Sequence, residues 1–295
     1  MAFGIEQPKS DGSLKVRRGE DWRRSYANGL ADTIDKPVYQ DLDHLAAGVA
    51  AHVDLMPGQH EIWGHDHRAA YRQLPAGPQW LLFVILFTAQ GPSLWKHRVA
   101  LFGSKGAVWA YLRVGDALVT LARCFLLINC FHFVDDYFGA GPVWESYSAF
   151  SAFEEFNNAL GFDMKVDKRM SPRAAAELLG VITKVCPKYF SCIPTEFKKN
   201  TIVSAAARCL ELDEISQNEA ARLQGQANFL FYTCFGAVGG ACLRPLALRA
   251  SRGGRPKLTA GLRLALSALV FTPMIRELAY PARPSARCHA DAFYI

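Results

Sequence analysis

Short apolar runs, separated by turn residues, predict buried β-strands in four places along the chain. Each run is rich in aromatic and β-branched residues, which pack well on a pleated surface. The predicted strands cover residues 80–88, 132–135, 178–184 and 189–193. Ahead of them, the polar and turn-rich residues 1–30 are compatible with a hairpin.

Apolar positions at helical spacing predict two helices, at 107–127 and 146–160, and a mostly helical stretch follows at 195–249. The Gly- and Arg-rich residues 251–256 predict a linker. Mixed strands and helices, followed by a separate helical tail, indicate an α+β class with appended lobes.

Composition and charge indicate a globular protein with a polyanionic partner. With 295 residues, of which 51% are apolar, the chain can bury a substantial core. The formal net charge is +6, but residues 244–287 carry nine Arg or Lys residues against one acid, Glu277. Such a cationic region suits a polyanionic partner, because Lys and Arg that neutralise phosphates release condensed counterions. A solvated basic face is the alternative explanation.

Cysteine spacing and hydropathy predict a soluble, intracellular protein. The eight cysteines form no Cys-x-x-Cys pair and no regular framework, as expected of reduced thiols. Residues 1–12 lack the basic patch and apolar run of a secretion signal. The longest apolar runs, 80–87 and 124–131, are shorter than the roughly 20 residues of a membrane span.

Two adjacent carboxylates, Asp135 and Asp136, stand at the end of a predicted strand and are the strongest chemical signal in the sequence. Carboxylates so close disfavour each other's ionisation unless a cation is present, and Mg²⁺ prefers oxygen ligands of this kind. A third acid, Asp66, lies in the strand-like segment 65–75. Together the two segments predict one site for two divalent ions, which can activate a hydroxyl nucleophile and stabilise a leaving group.

The order of these motifs resembles that of the reverse transcriptases of retroelements. In that family the Asp of the first catalytic motif is followed five residues later by an aromatic residue and then by a Pro, as Asp66, Tyr71 and Pro75 are here. The third motif, aromatic-x-Asp-Asp, is matched by 133–136, with Phe in place of the commoner Tyr. Between them, residues 101–107 match a Phe-Gly turn that leads into a helix. The amino-acid sequence around Asp66 and in the Phe-Gly turn is most similar to that of tyrosine-recombinase-type retrotransposons.

Further segments extend the resemblance over residues 3–181. Residues 160–168 resemble the fourth motif of the family, 178–181 the start of its primer grip, and 15–18 the part of the fingers that holds the incoming triphosphate. Near the C-terminus, residues 289–292 resemble the opening strand of a ribonuclease H domain, which the few residues that follow are too short to complete. A truncated copy is therefore expected, and a disordered tail is the alternative.

The resemblance implies a right-hand polymerase of α+β class, with palm, fingers and a helical thumb, truncated at the start of a ribonuclease H-like domain. The implied segments are fingers at 1–52 and 76–106, palm at 53–75 and 107–194, thumb at 195–250, and a linker with the start of the nuclease-like segment at 251–295.

The resemblance also implies an activity and its catalytic residues. The activity is that of an RNA-directed DNA polymerase, which adds deoxynucleotides to a primer 3′-hydroxyl by two-metal phosphoryl transfer. Asp66, Asp135 and Asp136 would hold two Mg²⁺ or Mn²⁺ ions. Lys168 would protonate the leaving pyrophosphate as a general acid, and a surface lysine is the alternative.

Substrate contacts follow from the same resemblance. Lys15 and Arg17 would clamp the β and γ phosphates of the nucleotide, since a guanidinium gives bidentate contacts, and a surface arginine is the alternative. Tyr71 would stack under the deoxyribose and exclude a 2′-hydroxyl. Phe102 and Gly103 would form the turn that touches nucleotide and template. The implied partners are an RNA or DNA template with its primer and deoxynucleoside triphosphates, without a membrane.

Two other functions are compatible with parts of the sequence. His60, His65 and His67 around Asp66 suggest a zinc hydrolase, although that hypothesis leaves Asp135 and its neighbour unexplained. A catalytically inactive, truncated retroelement product that binds nucleic acid is the other alternative. The sequence leaves template preference, oligomeric state and the choice between cytoplasm and nucleus open.

Overall fold

A computed structural model describes residues 2–8, 14–20, 22, 27–30, 38–77, 83–272 and 274–280 of the chain. In chain order its strands are β1 Ala2–Pro8, β2 Leu14–Glu20, β3 His60–Asp66, β4 Phe83–Thr88, β5 Gly91–Lys96, β6 Cys130–Phe133, β7 Asp136–Pro142, β8 Met170–Arg173, β9 Ala175–Leu178, β10 Val181–Val185, β11 Tyr189–Pro194 and β12 Arg276–Ala279. Its α-helices are α1 Ala27–Leu30, α2 Leu42–Leu55, α3 Lys105–Leu126, α4 Val143–Ala159, α5 Glu196–Leu212, α6 Gln217–Cys242, α7 Arg244–Arg252 and α8 Ala260–Phe271.

The chain forms two compact units. The first comprises residues 1–45, 63–140 and 145–171, and the second comprises 46–62, 141–144 and 172–295. Among the described residues, no helix combines the length and the apolar character that crossing a membrane requires. Mixed helices and strands agree with the α+β class that the hydrophobic pattern predicts.

The core of the first unit lies between helices and a sheet of order β6-β7-β3-β8. Trp63 of β3, Tyr137 of β7 and Phe153 of α4 are each at most 1% exposed and belong to one apolar cluster with Val119 and Ala122 of α3. Large aromatic side chains dominate the energetics of such a core, because each buries about 150–250 Å². This cluster fixes the ends of β3 and β6, where the predicted acids lie.

The second unit combines an antiparallel sheet of order β12-β11-β10-β9 with helices α5 to α8 and most of α2. Helix α6 begins at a capping box, in which Ser216 and Glu219 satisfy each other's backbone N–H groups. Helix α8 begins at Thr259, whose hydroxyl accepts a hydrogen bond from the Leu262 N–H. Helices α5 and α8 pack against each other, which gives this unit a helical core of its own.

Three features of the second unit differ from the sequence-based expectation. The predicted strand 178–184 is instead the end of β9, a two-residue turn and β10. The predicted linker around 251–256 is fixed by Arg249, whose guanidinium donates to the carbonyls of Ile215 at 2.7 Å and Pro256 at 3.2 Å. Helix α8 and strand β12 were not predicted. The nuclease-like residues 289–292 lie outside the described residues.

Candidate active site

The two adjacent acids lie at a tight hairpin turn. Strands β6 and β7 pair with Phe133 opposite Asp136, so Val134 and Asp135 alone form the connection. Val134 has a φ of 56°. A positive φ at the first turn residue matches the twist of a hairpin, but it is strained for a β-branched side chain. The backbone therefore stores strain directly beside the predicted catalytic acid.

Asp66 is the last residue of β3, and two backbone hydrogen bonds hold it beside that turn. Its carbonyl accepts from the Lys165 N–H at 2.8 Å, and the next residue, His67, donates its N–H to the Asp135 carbonyl at 3.4 Å. The Asp66 side chain is 7% exposed and forms an ion pair with the Lys168 ammonium. The structure thus brings Asp66, Asp135 and Lys168 together.

The charges at this site shift one another's protonation. Partial burial, followed by the charges of Asp135 and Asp66, raises the pKa of Asp136 to about 6, although Lys168 opposes the shift. For Lys168, burial tends to lower the pKa, but the hydrogen bond and charge of Asp66 outweigh burial and raise it above the usual lysine value. Negative charge is in excess at the turn, and Lys168 is a cation at neutral pH.

The donor set suits a hard divalent cation, because three carboxylates offer the oxygen ligands that Mg²⁺ and Mn²⁺ prefer. The charges of Asp135 and Asp66 contribute, after burial, to the raised pKa of Asp136, and a cation would reduce this repulsion. Within the described ranges, however, no group of three or more His, Cys, Asp or Glu side chains is arranged to hold a metal ion. The chemistry of the site fits a cation, which would compete with the Lys168 ammonium for Asp66.

Two of the predicted substrate-binding side chains, Tyr71 and Phe102, lie near each other. Tyr71 lies in a short 3-10 helix, and its ring centroid is 6.1 Å from that of Phe102. Burial, and next the charge of Asp135, raises the pKa of Tyr71 to about 12. Gly103 has a φ of 94°, and its carbonyl accepts from the Asn28 side chain at 2.9 Å. Phe102 is 44% exposed and accessible to a ligand.

The other two predicted contacts lie on the N-terminal hairpin. Strands β1 and β2 pair antiparallel, with Lys15 opposite Gln7 and Arg17 opposite Ile5. The hairpin expected in residues 1–30 is therefore present. The side chains of Lys15 and Arg17 lie outside what the structure describes.

A buried layer under the acids was not identified from the sequence. The His67 ring lies between the Asn157 Oδ1, 3.0 Å from its Nε2, and the Tyr111 hydroxyl, 2.5 Å from its Nδ1. The Asn157 amide nitrogen donates to the Phe153 carbonyl, so its oxygen faces the ring and Nε2 carries the hydrogen. Burial lowers the pKa of His67 to about 4 despite the Asn157 hydrogen bond. His67 is thus neutral and has a packing role.

The histidines do not support the zinc-hydrolase hypothesis. The Nε2 of His65 lies 3.0 Å from the Phe150 carbonyl, its ring stacks on Phe150 at 4.3 Å, and burial lowers its pKa. Both ring nitrogens of His67 have protein partners. The His60 Nδ1 lies 3.2 Å from the Gly58 carbonyl. The contacts of His67 occupy both nitrogen atoms of its ring, and among the described residues no group of three or more His, Cys, Asp or Glu side chains is arranged to hold a metal ion.

Comparisons with known proteins concern the fold. No protein-family model matches the sequence, and no curated protein matches it. Among solved structures, the foamy viral protease-reverse transcriptase dRH in complex with double-stranded DNA matches with a TM-score of 0.57 and 17% identity over 90% of this chain. The foamy viral protease-reverse transcriptase in complex with double-stranded DNA matches with a TM-score of 0.56 and 16% identity over 90% of this chain. The same protein in complex with an RNA/DNA hybrid matches with a TM-score of 0.55 and 17% identity over 91% of this chain.

The chain has a reverse-transcriptase-like fold. It spans 43%, 51% and 33% of the three solved chains, in the same order. The acidic turn therefore lies in a fold that those enzymes use with nucleic acid bound.

Proposed function

We propose that the chain is an RNA-directed DNA polymerase of a retroelement, which adds deoxynucleotides to a primer 3′-hydroxyl. The observation that carries the proposal is the meeting of Asp66, Asp135, Asp136 and Lys168 at one turn of a reverse-transcriptase-like fold. The solved chains of that fold were complexed with double-stranded DNA or an RNA/DNA hybrid. This supports a primed template as the macromolecular substrate.

The lobes of a right-hand polymerase are part of the proposal. The palm would comprise 53–75 and 107–194 and carry the acids, and the fingers would comprise 1–52 and 76–106. The thumb would comprise 195–250, a stretch that holds α5, α6 and α7. The helices of 195–250 follow the palm segment that carries the acids, which is compatible with this division.

The carboxylates of Asp66, Asp135 and Asp136 would hold the Mg²⁺ or Mn²⁺ ions. Ions bound there supply activation of the primer hydroxyl and stabilisation of the charge that develops on pyrophosphate. Because the pKa of Asp136 is about 6, its carboxylate is mostly ionised at neutral pH and able to bind a cation. The strained backbone of Val134 directly precedes Asp135, as is common at functional sites.

Lys168 would hold a proton for the leaving pyrophosphate. The raised pKa keeps its Nζ protonated at neutral pH, as a general acid requires. Its ion pair with Asp66 places that proton beside the predicted reaction centre. From there the Lys168 ammonium would donate its proton to an oxygen of the leaving pyrophosphate.

Tyr71 would select the sugar of the nucleotide. Its ring packs edge-on against Tyr111, with centroids 5.5 Å apart, which limits how far the ring can move. A rigid ring under the deoxyribose leaves no room for a 2′-hydroxyl. Lys15 and Arg17 would bind the phosphates, and Phe102 and Gly103 would contact nucleotide and template.

A second candidate is a catalytically inactive retroelement product that binds nucleic acid. It is favoured by the Lys168–Asp66 ion pair and by the lack, in the described part of the chain, of three metal-binding side chains in a ligating arrangement. In a polymerase a cation would compete with that ion pair for Asp66, whereas a binding module needs no cation there.

Primer extension separates the two candidates. We expect the wild type to extend oligo(dT) on poly(rA) with Mg²⁺ or Mn²⁺, and the Asp135→Asn protein to bind the same duplex without extending it. Folded wild-type protein that binds the duplex but does not extend the primer would support the binding module. Absence of duplex binding would contradict both.

A further inference from the structure

One buried histidine contacts the strained turn and is not used in the proposed mechanism. His132 of β6 is 1% exposed. Its Nδ1 lies 3.2 Å from the Val134 carbonyl, and its Nε2 lies 2.9 Å from the Asp116 carboxylate on α3. A carbonyl and a carboxylate can only accept, so the hydrogen bond to Val134 uses a hydrogen on Nδ1 and the one to Asp116 uses a hydrogen on Nε2. The ring therefore joins α3 to the turn that carries Asp135.

Gln40 closes this arrangement into a ring of hydrogen bonds. Its amide nitrogen donates to Asp116 at 3.1 Å, and its amide oxygen accepts from the His132 backbone N–H at 3.3 Å. The amide oxygen also accepts from Arg123 at 3.5 Å. Gln40 thereby fixes the Asp116 carboxylate and the His132 backbone together, and this fixes the orientation of the imidazole.

The packing leaves a slot that fits the imidazole ring. Tyr137 stacks on the His132 ring, with centroids 5.7 Å apart and an interplanar angle of 24°. On α3, Gly115 faces the ring, and a Cβ added there would overlap it. Gly115 on α3 and Tyr137 on β7 thus confine the imidazole to a single plane. A flexible side chain with the same donor group would not be held in one orientation.

We propose that His132 is a positioning residue, which Asp116 and Gln40 orient and which holds the Val134–Asp135 turn in the geometry required for incorporation. The inference rests on the proposed polymerase function. Val134 is strained, and strained backbone persists only where its surroundings determine it. The hydrogen bond to the Val134 carbonyl restrains the peptide group that precedes Asp135.

Two substitutions separate the contacts of the imidazole. In His132→Asn the amide nitrogen lies one bond from Cγ, as Nδ1 does, and can still donate to Val134. In His132→Gln the amide nitrogen lies farther out, near the position of Nε2, and reaches Asp116 instead. His132→Leu removes both hydrogen bonds while it keeps the side chain apolar and similar in length.

The turn itself provides a readout that does not require activity. We expect hydrogen exchange in a peptide that covers residues 130–138 to become about tenfold faster in His132→Leu and His132→Gln, and to stay within about threefold of wild type in His132→Asn. Incorporation should fall by about tenfold in kcat for the first two variants, with the KM for the nucleotide nearly unchanged. A merely structural role would not separate Asn from Gln.

Asp116→Ala is the milder companion variant, because the Asp116 side chain is 42% exposed and its loss leaves no buried cavity. It should accelerate exchange in the same peptide by about threefold. Unchanged exchange in both His132→Leu and Asp116→Ala would overturn the positioning role. Faster exchange with unchanged kcat would overturn its link to incorporation. A wild type without incorporation would contradict the proposed function alone, since the exchange measurement still decides whether His132 holds the turn.

Discussion

The β6–β7 turn and the β9–β10 turn each connect two antiparallel strands with only two residues. In the second, Val181 pairs with Leu178, and Leu179 and Gly180 have φ values of 49° and 80°. Both residues thus have the positive φ of a type I′ turn, and glycine occupies one of the two positions. The Gly180 carbonyl accepts from the Lys198 ammonium at 3.1 Å.

The β6–β7 turn contains no glycine. Val134 and Asp135 form it, and the position with positive φ is β-branched. Contacts from elsewhere support it instead, namely the His132 side chain at the Val134 carbonyl and the His67 N–H at the Asp135 carbonyl. Residue choice at the β9–β10 turn therefore favours the turn itself. At the β6–β7 turn it favours the acid, and the surrounding residues provide the stability of the turn.

The largest difference between the two hairpins should be in activity. Asp66→Asn removes a charge beside the β6–β7 turn and should lower the incorporation rate by at least about 10³-fold, as loss of an essential electrostatic group does. Glu177→Gln removes a charge from β9 and should leave the rate within about twofold. The rates are measured by single-turnover primer extension. Comparable losses in both variants would mean that the two hairpins do not differ in function.

Tight packing should distinguish the hairpins in stability. A Cβ on Gly139 of β7 would overlap the buried Trp63 ring and lie 2.8 Å from the Asn129 carbonyl. We expect Gly139→Ala to reduce the free energy of unfolding by about 3 kcal/mol. At Gly180 the added Cβ meets only the flexible end of Lys198, so Gly180→Ala should cost about 1–2 kcal/mol, from the positive φ. Urea denaturation gives both values, and equal losses would contradict the distinction.

Excess negative charge at the β6–β7 turn should appear in the pH dependence of stability. The pKa of Asp136 is about 6 in the folded chain and near 3.8 in an unfolded one. A raised pKa means that the folded state holds the proton more tightly, so the stabilisation is complete below pH 3.8 and is lost as pH rises through 6.

Asp136→Asn should therefore become more stable than the wild type, by about 1 kcal/mol, between pH 4 and pH 7, after allowance for solvent screening of a carboxylate that is only partly buried. Chemical denaturation without divalent ions at the two pH values measures this difference. Saturating Mg²⁺ should reduce it at pH 7. A difference that is the same at both pH values would show that Asp136 titrates normally.

The smallest expected effect concerns turn preference. Leu179→Asn creates the Asn-Gly pair that type I′ turns favour and should stabilise the chain by about 0.5–1 kcal/mol. Val134→Asn should gain little, because Val134 also packs against the apolar cluster of Ala70, Leu74 and Tyr111. Thermal unfolding of the two variants measures the contrast. A larger gain at Val134 would mean that its packing contributes nothing.

Local patterns predicted much of the fold. Helix 107–127 is observed as Lys105–Leu126, helix 146–160 as Val143–Ala159, and strand 189–193 as Tyr189–Pro194. Each has a continuous period that propensity and burial both favour. The turn at 179–180 was missed because its apolar neighbours read as one strand, although Gly180 was a signal for it.

Helix α8 also had a local signal. Thr259 is a standard N-cap, and Leu262, Leu266 and Leu269 recur at helical spacing and are at most 3% exposed. The Gly- and Arg-rich residues before them favoured a linker interpretation instead. Strand β12 is only four residues long and is stabilised by pairing with β11, which no local pattern reports.

The acids of the site could be recognised from motifs, but their supporting residues could not. Gln40 and His132 lie 92 positions apart, and His67 and Asn157 lie 90 apart. Such pairs depend on packing that the fold alone creates. The Lys168–Asp66 ion pair is likewise a tertiary contact, and it changes the chemistry expected of the carboxylates that we propose as metal ligands.

The most direct test of the acidic turn is single-nucleotide incorporation by wild-type and Asp135→Asn protein on the same RNA/DNA primer-template, with duplex affinity and thermal unfolding measured on the same samples. We expect equal binding and equal folding, with incorporation by the wild type alone. Incorporation by both proteins, or by neither when both fold and bind, would contradict a polymerase centred on this turn.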